Sequence, residues 1–169
     1  MMTTLETLRN EINTAETRKA ELEKIHFDQV RAGADINSID FSEEYKLSRR
    51  INELNGLIKK EERRNVTVGE GVTLHYYTDA HAYTVIARTK TTLTIQRDKA
   101  TLDPNFKPNI IPGGFAGHCT NQNEQTYTYE RDPQGTIQKA FWSEREGMFK
   151  VDGDLRVYNG RHEFYDYNF

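Results

Sequence analysis

Val72-Thr73-Leu74-His75-Tyr76-Tyr77, followed by Thr78-Asp79-Ala80-His81 and then Ala82-Tyr83-Thr84-Val85-Ile86-Ala87, is the stretch that decides the fold. Val72, Leu74 and Tyr76 alternate with Thr73, His75 and Tyr77, and Tyr83, Val85 and Ala87 begin a second alternating run. A period of two marks strands with one buried face, and the polar residues between the runs read as a turn. Thr89-Lys90-Thr91 turns the chain into a third run, Thr92-Leu93-Thr94-Ile95-Gln96, which completes a meander. Further strands are expected over residues 126–130 and 137–142, with the turn Asp132-Pro133-Gln134-Gly135 between them. Shorter ones are expected over 148–151 and 155–158, and Asn159-Gly160 signals a tight hairpin into 161–169.

Upstream the period changes to that of a helix. Thr3 with Glu6 is a capping box, so a helix from about Leu5 is expected, with the stripe Leu5, Leu8, Ile12, Ala15 and Leu22. Gly33 stops it. Asp40 or Ser42 can cap a second helix carrying Leu47, Ile51, Leu54 and Ile58. The expected fold is α+β: an N-terminal helical hairpin over 1–65, then a small, mostly antiparallel β-sheet or partly open barrel over 66–169 as the ligand-binding domain. Aromatics segregate the same way, since eight of nine Tyr, six of eight Phe and the only Trp follow Asn65. The helical stripes are narrow, so the hairpin must pack on the sheet domain or on its copy in another subunit. A homo-oligomer, dimer or tetramer, is the expected outcome.

The chain has 169 residues, enough for a real core, and a single cysteine, Cys119, which rules out an intramolecular disulfide. A net charge of −3 argues against coating extended nucleic acid through a broad basic face. No apolar run has signal-peptide or membrane-span length, so a cytoplasmic protein without membrane contact is expected.

Chemistry concentrates after Gln96. Arg97-Asp98-Lys99 leads into a loop of roughly 25 residues, long for a compact domain and therefore a candidate site. If the strand persists, Arg97 and Lys99 share one side and suit a phosphate. Equally, they can be a solvated strand end with Asp98 paired to a neighbouring cation. Gly113 and Gly114 allow backbone amides to approach an anion, and Phe115 can stack on a base or plug the loop onto the sheet. His118 and Asn121 belong to a run of neutral donors and acceptors able to read a base edge. Tyr77, Asp79 and His81 occupy the first turn, and Arg161 and Tyr165 can reach a ligand from the last segment. No nucleophile elbow, phosphate loop or metal-ligand spacing is present, so no catalytic residue, metal or cofactor is expected. The weakest alternative is a phosphodiesterase-like hydrolase using His81 or His118 with Asp79 or Asp98.

Five segments carry a resemblance: Tyr-Thr-Asp-x-His-Ala-Tyr-Thr-Val-Ile (77 to 86), Thr-Ile-Gln-Arg-Asp-Lys-Ala (94 to 100), Gly-Gly-Phe-Ala-Gly-His (113 to 118), Tyr-x-Tyr-Glu-Arg-Asp-Pro-x-Gly (127 to 135) and the last ten residues, 160 to 169. Over 69–169 the chain resembles small phage and prophage proteins similar to the anti-defence sponges of the anti-CBASS type. The resemblance implies sequestration, without cleavage, of a cyclic nucleotide immune signal, a cyclic dinucleotide or a cyclic ADP-ribose type. It does not cover the hairpin. A nucleic-acid- or protein-binding phage accessory factor is the alternative.

Overall fold

The computed structural model describes residues 3–113 and 117–168. It divides into two compact units, Met1–Glu62 and Arg63–Phe169. Helix α1 (Thr4–Arg31) opens on the expected capping box: the Thr3 hydroxyl accepts from the Glu6 N–H at 3.3 Å, and the Thr3 N–H donates to Glu6 Oε2 at 2.7 Å. It ends before Gly33, whose φ of 95° no other residue adopts cheaply. The Asp40 carboxylate accepts the Ser42 N–H and starts helix α2 (Ser42–Arg64).

The two helices bury a single seam. Ile12, Ala15 and Leu22 are covered on α1, but only Leu54 is on α2. Ile51 and Ile58, expected on the same stripe, are half-buried. Polar pairs align the helices antiparallel: Arg9 with Glu62, Arg50 with Glu11, and Arg18 with Glu43. Exposed pairs of this kind stabilise by at most about 1 kcal/mol each and set register more than stability.

The second unit is an antiparallel barrel of six strands. The meander forms as expected from β1 (Gly71–His75), β2 (Ala80–Arg88) and β3 (Thr92–Leu102). Two two-residue strands, β4 (Ile110–Ile111) and β5 (His118–Cys119), pair with each other, and β6 (Tyr127–Arg131) follows. Then come β7 (Ile137–Ser143), β8 (Met148–Val151) and β9 (Leu155–Asn159). The order β2-β1-β9-β8-β7-β3 closes because β3 also pairs with β2. Inside lie Val72, Leu74, Tyr83, Val85, Leu93, Ile95, Ala140, Phe149, Val151 and Val157. Each buried aliphatic or Phe of this set stabilises by about 1.5–3 kcal/mol, which is why the period-two pattern dictates the barrel.

Two expectations are corrected. Strand β3 does not stop at Gln96 but runs to Leu102, because residues 98–102 find a ladder partner in β6. The long loop therefore begins at Asp103 and carries the β4–β5 ladder and a 3-10 turn, Gln122–Glu124. Asn159-Gly160 makes no hairpin either. Both edges of β9 are already taken by β1 and β8, so the chain turns away at Gly160 (φ 86°) and, among the described residues, pairs with the ladder through Phe164 opposite Ala80.

Candidate functional site

Of the residues expected at the ligand, some form a structural lock, one lines a surface cleft, and the rest lie in neither or outside the described residues. Three of them, His81, Arg97 and Arg161, converge in the lock. Glu163, 8 % exposed, accepts from His81 Nδ1 at 2.9 Å, from the Ala82 N–H at 2.8 Å and from the Arg97 guanidinium. Arg97 also donates to the Ala82 and Asp98 carbonyls. Beside it, the buried Asp98 carboxylate accepts from Thr84 and from Arg161 Nε, both at 2.7 Å. Burial alone would push the Glu163 carboxyl up. The bonds from His81 and Ala82 and the charge of Arg97 outweigh it, and hold the carboxyl below its ordinary value.

Arg97 and Lys99 each lie beside a carboxylate. Arg97 is committed to Glu163, and Lys99 is an exposed side chain whose ammonium lies 3.8 Å from Glu130. Asp79 accepts the Asp166 N–H, and the Gln125 carboxamide bonds both the N–H and the carbonyl of Tyr165. Asn121 accepts the Asn109 N–H and donates to the Lys107 carbonyl, which fixes the loop rather than leaving its amide open. His118 is exposed on β5, and the Tyr165 ring packs edge-on against Tyr167. Gly114 and Phe115 lie outside the described residues.

Tyr77 is elsewhere, on the rim of a cleft of about 450 Å³ lined by His75, Tyr76, Lys150, Asp154, Leu155, Arg156 and Tyr158. Its floor follows from strand register. His75 on β1 pairs with Arg156 on β9, which pairs with Lys150 on β8. Laterally paired residues share a face, so two fixed cations and a histidine form a row across three strands spaced about 4.8 Å apart. Leu74, Val157 and Phe149, one position along, point into the core.

Like charges opposite one another in a ladder destabilise it unless an anion lies between them. Here Glu146 supplies one, accepting from Lys150 Nζ at 3.0 Å and lying 3.8 Å from Arg156. The Lys150 ammonium, followed by Arg145, holds its carboxyl below the usual range. One acid, Asp154, is among the lining residues. His75 is pushed down, first by burial and then by the neighbouring charge of His162. Tyr158 packs on the His75 ring at 4.7 Å with Arg63 above it at 5.7 Å.

Sequence reasoning missed His75, Tyr76, Lys150, Arg156 and Tyr158 as a set. The single available signal was alternation, which puts His75 outward, but the partners of β1 could not be read from it. A second groove of about 550 Å³ runs between α1 and α2, lined by seam residues such as Ala15 and Leu54. It is lined by Arg18 and Arg50 but by no aromatic side chain, and both arginines are paired with glutamates, Arg18 with Glu43 and Arg50 with Glu11. Among the described residues no group of three His, Cys, Asp or Glu is placed to hold a metal, and no helix is long and apolar enough to cross a membrane. No protein-family model matches the chain, and neither the curated proteins nor the solved structures give a similar protein, so the resemblance to phage sponges assigns no family.

Proposed function

We propose that the barrel sequesters a small anionic nucleotide of the cyclic type without cleaving it, as a phage anti-defence sponge would. The observation that carries this is the His75–Arg156–Lys150 row beside three tyrosines in one cleft. Arg offers a planar fork to phosphate oxygens, Lys a point charge, and tyrosine rings a surface for a base. A sponge needs affinity and slow release rather than an activated nucleophile. Calorimetric titration with cyclic dinucleotides and cyclic ADP-ribose, followed by recovery of the ligand on heating, tests it. Intact ligand at low-micromolar or better affinity is the expected result. Absence of binding across the panel overturns the proposal, and chemically altered ligand replaces it with a hydrolase.

Binding should tighten on acidification. His75 has its pKa depressed below the ordinary histidine value near 6.5, so it is mostly neutral at pH 7. An anion in the row favours the protonated ring, so the complex takes up a proton and affinity rises as pH falls towards and below the ordinary value. Titrations at pH 7.5 and 6.0 read this directly, and His75→Gln should abolish the difference.

The same proposal includes self-association through the hairpin. Large apolar side chains cluster exposed near its turn, among them Phe27, Val30, Ile36 and Phe41, and a two-helix seam alone is marginal. Light scattering should give at least a dimer, and Phe27→Asp should shift it to monomer. A monomeric wild-type protein at tens of micromolar removes this part.

A further inference from the structure

We infer that Tyr77 is the specificity-determining residue of the cleft, the side chain that stacks on the base of a nucleotide whose phosphate lies on the cation row. This rests on the reading of the cleft as an anion site. Of the three tyrosines lining it, two are already engaged. The Tyr76 ring meets His81 edge-on at 5.0 Å, and its hydroxyl lies 3.4 Å from the Tyr83 hydroxyl and accepts from Gln138 Nε2 at 3.4 Å. Tyr158 packs against the tilted His75 ring and has the Arg63 guanidinium over it. Tyr77 is 98 % exposed and, among the described residues, has neither a hydrogen bond nor a ring contact from its side chain.

An unpacked ring is ordinary on a flexible loop, but this turn is anchored. The Tyr76 N–H donates to the Asp79 carbonyl, Asp79 accepts the Asp166 N–H, and Ala80 exchanges both backbone bonds with Phe164. The backbone is therefore fixed while the ring keeps both faces free. A tyrosine orders only two side-chain angles on stacking and offers a large apolar area in return. Because Tyr77 and the row line the same cleft, a single molecule can meet both only if it joins a planar aromatic group to an anionic one. A nucleotide does; inorganic pyrophosphate supplies the anion alone.

The test compares pyrophosphate with cyclic di-AMP on the full-length wild type, Tyr77→Ala and Tyr77→Phe. Wild type should bind the nucleotide more tightly than pyrophosphate. Tyr77→Ala should lose about ten- to hundredfold for the nucleotide with pyrophosphate unchanged, and Tyr77→Phe should retain affinity. Equal losses for both probes, or no loss for the nucleotide, overturn the stacking role while leaving the anion site standing. Wild type binding neither probe overturns both.

Discussion

Glu163→Gln should lower the stability of the barrel by about 3 kcal/mol, the cost typical of removing one member of a buried ion pair and leaving its partner uncompensated. Glutamine keeps the shape but not the charge. Three donors converge on the carboxylate, from His81, Ala82 and Arg97. A single amide oxygen cannot serve them all, and its NH₂ would face donors. The Asp98–Arg161 pair next to it adds to the demand for balanced charge, because Arg161, two residues before Glu163, holds the same segment to β3. For a unit of this size the loss corresponds to at least about 10 °C in Tm.

The pH dependence has a definite sign. Glu163 titrates below its ordinary value in the folded protein, so its contribution is complete above about pH 4.3 and disappears as pH falls through the folded value. Wild type should therefore show a stability limb rising with pH in the acid range, and Glu163→Gln should flatten it. Urea denaturation from pH 3 to 7 reads both effects. A loss under about 1 kcal/mol with an unchanged acid limb would show that Glu163 does not hold the segment.

Local pattern made the helices and the meander legible, because a capping box, a glycine stop and alternating burial act over a few residues. Thr3 with Glu6 and the run around Val72–Val85 needed no knowledge of what they pack against. Partner choice needed that knowledge. Residues 98–102 read as the mouth of a loop because nothing in them reveals that β6 lies alongside. Asn159-Gly160 read as a hairpin because the turn chemistry is right, while the lack of a free edge on β9 is a property of the closed ring. The surroundings of the candidate cations were hidden for the same reason. Arg97 and Lys99 lie two apart in sequence and read as a possible phosphate pair, while the carboxylates beside them, Glu163 and Glu130, come from distant parts of the chain. The cations that do line up, Lys150 and Arg156, are brought to His75 by strand pairing alone.

Arg156→Gln should separate a binding role from a structural one, because its two effects have opposite signs. Arg156 faces Lys150 directly across the β8–β9 ladder, and its contact with Glu146 is long, 3.8 Å, and exposed. Removing it relieves a like-charge pair and gives up a weak ion pair, so stability should stay level or rise by up to about 0.5 kcal/mol. Lys150 keeps its 3.0 Å bond to Glu146 throughout, which makes Arg156 the cleaner choice of the two. Affinity for a phosphate-bearing ligand should nevertheless fall about ten- to hundredfold, the scale of a lost hydrogen-bonding charge at an anion. The salt dependence of binding should become shallower as well, since one fewer cation faces the ligand. A stability loss of about 1 kcal/mol or more with affinity intact would instead make Arg156 a structural residue, and the row would lose its claim to be a site. A protein that retains a repulsive cation pair on an open face, partly neutralised by one carboxylate, gives up stability there, and an anionic ligand is the occupant that would recover it.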